Sequence, residues 1–504
     1  MTELLTATPR TLSARSAHRS WLAPALVGLA GTLFSSLAIG TPSIWYDEAA
    51  TISSSTRSWS QLVAEVQTVD LVHGLYYALM HLWFDLVGYS PLTLRLPSAL
   101  AIGAAAALVV VLGRLLSRER LGVIAGILFL LLPRSTWAGG EGRSYALTAT
   151  LAVATTVLVV LAARAGHRRW WVVYGIVGVL ACVTFIYLAL VIVAHLATLA
   201  WLRRRDRRLN RALGSWAIAA AASAPLLALF GWGAMGQSRQ VAWLPEVGSS
   251  TVRAVVSTQW FFDSPVWTVA GWVALVAGAI ALATLRQHRW LAATAVPGML
   301  LPTLAILAVS VAITPLYNPR YLTMSLPFVA LVMAAAFDLL PSPRRPMAIA
   351  ALVIAAAISV PTLVDQRQPT SKEGTDWATV SQLIADQRDD DGPGSTAAIV
   401  YDRVRYHPRA TARVIAYAYP EGFTGTVDVT LQTSAAESGR LWETTRPLSA
   451  SLSALDNADV VYLLTSTASD GTRETAATLS PLGWSISDSW VLSDVRIVRF
   501  ENGS

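Results

Sequence analysis

Residues 21–50 read WLAPALVGLAGTLFSSLAIGTPSIWYDEAA. The first part, residues 21–40, is apolar and long enough to cross about 30 Å of hydrocarbon. It is too long for the core of a cleavable signal and reads as a retained membrane helix. Two adjacent carboxylates, Asp47 and Glu48, follow at its mouth. Acids at a membrane edge lose hydration unless something compensates them, so they are functional candidates by default. The competing reading is an ordinary solvated loop.

Apolar runs of this kind recur along the chain. Of 504 residues, 54% are hydrophobic and 14% charged, and the mean hydropathy is +0.50. That composition excludes an ordinary soluble protein and marks a polytopic α-helical membrane protein. The net charge of +7 hides a split: residues 1–365 carry +13 and residues 366–504 carry −6. The basic balance thus belongs to the membrane part and gives no reason to expect nucleic acid as a partner. Cys182 is the only cysteine, so no intrachain disulfide is possible. One lysine, Lys372, stands against 37 arginines, a compositional mark of a GC-rich genome.

Arginine placement sets the orientation, because cytoplasmic loops are enriched in basic residues. Arg10, Arg15 and Arg19 put the segment 1–20 in the cytoplasm and the Asp47-Glu48 loop outside. The next cluster, Arg114, Arg118 and Arg120, must again be inside, so an odd number of crossings lies between residues 43 and 113. Residues 93–113 form one. Residues 74–87 are apolar but short, and are expected to lie as an amphipathic helix on the outer surface. The same parity gives spans at 121–138, 144–163, a hairpin over 170–202 turning near 184–187, then 213–230, 267–285, 291–313, 321–340 and 347–360. About eleven transmembrane helices result, making a membrane module over 21–365. Residues 366–504 hold no span and read as a small extracytoplasmic α/β domain. Asp376 is expected to cap a helix at 377–388. A turn is expected at 389–394, strands at 397–401 and 459–464, and a terminal hairpin from 490–492 and 495–500.

With this topology the polar residues gather on the outer face. Arg143 and Arg320 each stand at a helix end beside Tyr145 and Tyr321, a setting suited to a phosphate head group whose tail stays in the bilayer. Interfacial anchors that snorkel are the alternative. Asp47 and Glu48 can serve as general base toward a hydroxyl. They can also bind Mg or Mn through oxygen, with Asp70 as third ligand, although a lone loop aspartate more often caps a helix or stays solvated. His73 and Gly74 open the surface helix. Gly74 leaves room for close backbone approach to a ligand, while Tyr76, Tyr77 and Trp83 also fit an interfacial aromatic belt. His195, mid-way along an apolar helix, reads as a hydrogen-bonded core residue. No zinc-protease, P-loop or nucleotide fingerprint is present, so a nucleotide-sugar donor has no obvious site.

The order Asp47-Glu48, His73-Gly74-Leu75-Tyr76-Tyr77, Arg95-Leu96-Pro97-Ser98-Ala99-Leu100, Glu141-Gly142-Arg143-Ser144-Tyr145 and Pro319-Arg320-Tyr321-Leu322 resembles the bacterial polyprenyl-phosphate-dependent membrane glycosyltransferases of the C type (GT-C fold). Within these it is similar to family 39, which includes protein O-mannosyltransferases and the aminoarabinose transferases of lipid A. The likeness covers residues 20 to about 340. It implies a sugar donor on a polyprenyl phosphate, used at the outer face of the cytoplasmic membrane on a glycan, lipid or protein acceptor. It further implies an inverting transfer in which Asp47 is the catalytic acidic position and Glu48 its partner. Arg143 and Arg320, with Glu141, Tyr145, Tyr321, His73 and Tyr76 in the same motifs, are expected to contact the donor phosphate and sugar. Many relatives have a proline pair where this chain has His73-Gly74, which places a difference in the sugar or acceptor pocket. Mannose and arabinofuranose are the leading sugars. The rival readings are a transporter or flippase of lipid-linked sugars, which calls for charged or broken helices near the midplane, and a non-catalytic glycan-binding relative.

Overall fold

The computed structural model describes residues 14–341, 344–392, 394–404 and 407–503. Arg10 of the orientation argument and Pro393 of the expected turn lie outside them. The chain begins with α1 (Ala14–Ser36), three short helices α2 (Tyr46–Ser55), α3 (Trp59–Thr68) and α4 (Gly74–Val87), and the long α5 (Pro91–Leu116). Local chemistry sets these boundaries. Ser58 and Gln61 close a capping box at α3, and Ser90 with Thr93 closes another at α5, where Pro91 opens the first turn. The apolar part of α1 ends at Ser36, short of the expected residue 40, where a turn begins.

The expected straight span at 121–138 is instead a bent pair, α6 (Glu119–Leu131) and α7 (Pro133–Gly139), at 68° to one another. Pro133 is the cause: it has no N–H to continue the ladder and its ring clashes with the preceding turn. Next come α8 (Tyr145–Ala165), α9 (Arg168–Thr184), α10 (Ala189–Arg203) and α11 (Leu209–Gly236). The expected hairpin thus turns at Phe185. An external segment with short helices α12 (Ser249–Arg253) and α13 (Gln259–Phe261) leads to α14 (Pro265–Thr284), α15 (Arg289–Ala312), α16 (Leu326–Ala335) and α17 (Arg344–Asp365). A 3₁₀ turn, Pro319–Ser325, precedes α16. Among the described residues eight helices are long and apolar enough to cross a membrane, or nine with the bent pair taken as one. Two shorter ones, the apolar part of α1 and the 17-residue α9, occupy the remaining positions of the eleven expected spans.

Small residues let these helices approach closely. A side chain at Gly113 would collide with the backbone of Gly122, and one at Gly278 with the carbonyl of Val332. His195 is the hydrogen-bonded core residue expected. Its ring meets Thr156 at 2.9 Å and Tyr174 at 3.0 Å, and Trp216 donates to the same Tyr174 hydroxyl at 3.0 Å. The network joins four helices inside the apolar slab.

The bundle has two unlike ends. At one, Asp338 pairs with Arg118 and with His288, the latter at 2.9 Å. These are the loops that the arginine rule puts inside. The other end carries α2–α4 and the polar C-terminal part. That part opens with α18 (Trp377–Asp390), which runs into the expected turn. Asp376 does not cap α18; its carboxylate accepts the N–H of Ser493 instead. Strands β1 (Ala397–Tyr401), β2 (Arg403–Val404) and β3 (His407–Thr411), helix α19 (Arg413–Ala418), then β4 (Val427–Asp428), β5 (Leu431–Thr433), helix α20 (Ala435–Ser438) and β6 (Thr444–Thr445) follow. The chain ends with β7 (Val460–Ser466), helix α21 (Thr472–Leu479), β8 (Trp484–Val491) and β9 (Val495–Asn502). The main sheet has the order β4-β1-β7-β9-β8, with β4, β1 and β7 parallel and the β8–β9 hairpin antiparallel. Both faces of β1 and β7 are buried, which is why they read as unbroken apolar runs. One face, with Ile399, Tyr462, Leu464 and Ile497, shares a single core with Ile44, Ala49, Tyr76 and Tyr77 of the segment after α1. The sheet therefore sits directly on the helices that carry Asp47.

Candidate active site

Asp47 lies in the first turn of α2. Its carboxylate meets Arg320 at 3.0 Å, and both side chains keep some exposure, 20% and 15%. The Arg320 guanidinium lies over Trp45 at 5.3 Å and over Trp243 of the external segment at 5.7 Å. Arg143 reaches the same point from the α7–α8 loop. Its Nη1 donates to the Asp47 carbonyl at 3.3 Å and to the Tyr77 hydroxyl at 3.1 Å. Tyr77 in turn donates to Asp70 at 2.8 Å. Residues far apart in sequence thus converge on one acid.

The neighbouring acid has a different environment. Glu48 is wholly buried and takes the fork of Arg95, Nε at 2.8 Å and Nη2 at 2.6 Å, together with the Gly142 N–H at 2.8 Å. Burial alone would raise its pKa, but Arg95 and Lys372 hold the carboxyl below the usual range. Arg95 also donates to the carbonyls of Ile39, Pro42 and Ser43, so the pair fixes the turn between α1 and α2. Glu141, likewise buried, accepts Trp45 Nε1 at 3.2 Å and pairs with Lys372, whose ammonium also donates to Gly140 O at 2.8 Å. Burial pushes Glu141 up to about 7 and Lys372 below its ordinary value.

The expected metal set does not assemble. Glu48 has both oxygens committed to Arg95 and Gly142, and Asp70 is held by Tyr77. Among the described residues no three acidic, histidine or cysteine side chains gather as a ligand set. Asp70 does not cap the following turn either; its backbone is left-handed, φ +58°, and its side chain is turned to Tyr77. Gly74 answers to packing, because a β-carbon there would press on Val66 of α3 at 3.0 Å.

The remaining expected residues surround this centre. Tyr145 stacks on Trp137 at 5.4 Å and neighbours Tyr321 at 6.4 Å. Tyr321 also packs against Phe185 and Tyr187. His73 Nδ1 and the Tyr76 hydroxyl are buried without a partner. Tyr76, with Ser98, lines a cavity of about 250 Å³ between α4, α5 and α8. Two participants escaped the sequence reading as site residues. Arg95 carried a signal, a charge near the start of a long apolar helix. Lys372 carried one too, as the chain's single lysine.

No family model and no curated protein sequence matches the chain. Solved structures do. ArnT from Cupriavidus metallidurans bound to undecaprenyl phosphate is 14% identical, with a TM-score of 0.60 over 97% of this chain and 98% of that one. The apo state of the same protein gives 0.59 with the same coverage and identity. A mutant of the arabinofuranosyltransferase AftD from Mycobacteria is 18% identical, with a TM-score of 0.51 over 96% of this chain but only 42% of AftD. The likeness to ArnT runs through the membrane helices and the C-terminal sheet alike, and the chain has this GT-C-type polytopic fold from end to end.

Proposed function

We propose that this chain is a glycosyltransferase that moves a monosaccharide from a polyprenyl-phosphate donor to a hydroxyl of a glycan, lipid or protein at the outer face of the plasma membrane. The observation that carries this reading is the contrast between Asp47 and the acids around it. Glu48, Glu141 and Asp70 are each committed to a neighbour, whereas Asp47 keeps an accessible carboxylate at the edge of the bilayer, beside two arginines. An open carboxylate among guanidinium groups is the pairing that a base and a leaving phosphate require.

In the proposed step the acceptor oxygen attacks the anomeric carbon on the face opposite the phosphate, and its proton passes to Asp47. The bond between the anomeric carbon and the phosphate oxygen breaks, and its electron pair leaves with the polyprenyl phosphate. The product is inverted. Arg320 holds Asp47 before the donor arrives; shifting toward the phosphate, it releases the carboxylate to act as base. Arg143 holds the turn and shares the phosphate charge. Glu48 acts through Arg95, as a positioning group. His73 and Tyr76 offer free polar atoms to sugar hydroxyls, in keeping with the departure from the proline pair. Mannose and arabinofuranose are the sugars to test first, and a family-39 type of activity is the nearest description.

The test is transfer in membranes from a panel of radiolabelled polyprenyl-phosphate sugars, comparing wild type with Asp47→Asn. Label moving to a new product only with the wild type supports the reading. Transfer that is undiminished in Asp47→Asn sinks it.

A further inference from the structure

Arg134 takes no part in the step described above. It stands in α7, just beyond the break at Pro133, and is 4% exposed. Its guanidinium is stacked between two rings, 4.8 Å from the centroid of Trp137 and 4.8 Å from that of Phe262. It makes one hydrogen bond, from Nη2 to the Thr258 carbonyl at 2.6 Å, and its Nε is buried without a partner. Among the described residues no carboxylate lies within ion-pairing distance of it. The other buried cations nearby are compensated: Arg320 by Asp47, Arg95 by Glu48, Lys372 by Glu141, and Arg143 by Asp70 through the Tyr77 hydroxyl.

A buried guanidinium without counter-charge is strongly unfavourable unless an anion supplies one. Two further observations say where the anion sits. Arg320 also has a buried Nε without a partner, and it lies close enough to Arg134 for the two charges to repel. Phe262, which closes the stack, and Asp263 after it both have left-handed backbones, φ +52° and +57°. A bulky residue seldom adopts that conformation, and strain of this kind collects at ligand-binding positions. Trp137 and Phe262 also line a cavity of about 690 Å³, whose apolar wall includes Val266, Ile358 and Pro361.

The geometry points to a second function for this corner: Arg134 and the free edge of Arg320 form a seat for the phosphate of a lipid monophosphate, with the lipid chain entering along the cavity. The lipid part of this inference rests on the proposed transfer reaction. A glycosylated lipid phosphate is a diester with one negative charge. Once the sugar has left, the phosphate is a monoester with up to two. Arg134 is the cation left over to meet the second charge, so it favours the departing carrier over the loaded donor. An Arg134 fork suits the phosphate oxygens better than a point charge.

The experiment is equilibrium binding to the full chain in detergent, with three probes: a short-chain polyprenyl monophosphate, the matching polyprenol and inorganic phosphate. Wild type is compared with Arg134→Gln and with Arg239→Gln, a change in the exposed external segment. The expected result is a loss of at least tenfold in monophosphate affinity for Arg134→Gln, no change for polyprenol, and no change for Arg239→Gln. In transfer assays the inhibition constant of the monophosphate should rise more than the donor KM. A folded Arg134→Gln that binds the monophosphate as tightly as wild type overturns the proposal. If that variant does not fold, Arg134→Lys is read by the same criterion, since lysine keeps the charge and loses the fork. Inorganic phosphate competing as well as the lipid would overturn the lipid assignment. Tight, Arg134-dependent binding with no transfer of any sugar would instead leave the seat standing and remove the transferase reading.

Discussion

Lys372 and Glu141 form an ion pair that fastens the segment after the last membrane helix to the loop carrying Arg143. Both partners are buried. Removing one member of such a pair leaves a charge without compensation, at a cost of about 3–5 kcal/mol. Lys372→Met should therefore lower thermal stability in detergent sharply. Adding Glu141→Gln to the same chain should restore most of it, because a neutral amide tolerates the site. A Lys372→Met protein that melts with the wild type would show that the pair anchors nothing.

Asp47 and Glu48 are adjacent in sequence and predict opposite phenotypes. Asp47→Asn should retain stability and lose transfer by about 10²–10⁴-fold, the usual contribution of a positioned base. Glu48→Gln should lose stability first, since it leaves the fully buried Arg95 without its carboxylate. Melting temperature and initial transfer rate, measured on both variants, separate the two. Equal losses of stability would mean that Asp47 is a structural partner of Arg320 and no more.

Much of this fold was readable from length and charge alone. Apolar runs of membrane length, and the alternation of arginine clusters, located the helices and the short surface helix at 74–87, because in a bilayer both signals are dictated by solvation. The bend at Pro133 was harder to place, since a proline inside a membrane helix is often absorbed by its neighbours. The convergence of Asp47, Arg143 and Arg320 on one face followed from parity. Which acid stays open did not. Glu48 and Asp47 look alike in sequence, and only the arrival of Arg95, 47 positions later, commits one of them. Arg134 was hidden for a similar reason: its isolation depends on what other segments fail to bring near it.

The two unlike ends of the bundle give a topological test. Ser250 is exposed in the segment between α11 and α14, on the side of Asp47, and Arg205 is exposed at the opposite end beyond α10. The native Cys182 is buried and should not interfere. Ser250→Cys should react with an impermeant thiol reagent added to intact cells, and Arg205→Cys only after the membrane is opened. Labelling of Arg205→Cys in intact cells would reverse the orientation and put Asp47 in the cytoplasm.

Asp376 and Asp494 join the start of α18 to the turn of the β8–β9 hairpin. Asp494 accepts Trp377 Nε1 at 3.2 Å, and Asp376 accepts the Ser493 N–H. Burial, then the hydrogen bond and repulsion from Asp376, pushes the Asp494 carboxyl up from 3.8 to about 7. The folded protein therefore holds a proton that the unfolded chain releases. The stabilisation is complete below the unfolded value of 3.8 and is lost as pH rises through about 7, the reverse of an ordinary ion-paired aspartate. Amide hydrogen exchange in the full chain, corrected for intrinsic rates, should show the hairpin and the first turn of α18 losing protection between pH 5 and pH 8, a window of about the usual one-unit spread on each side of that midpoint. Asp494→Asn keeps a hydrogen-bonding group without the titration, so its protection should stay level over the same range. Equal pH dependence in both proteins would mean that the two carboxyls do not share a proton.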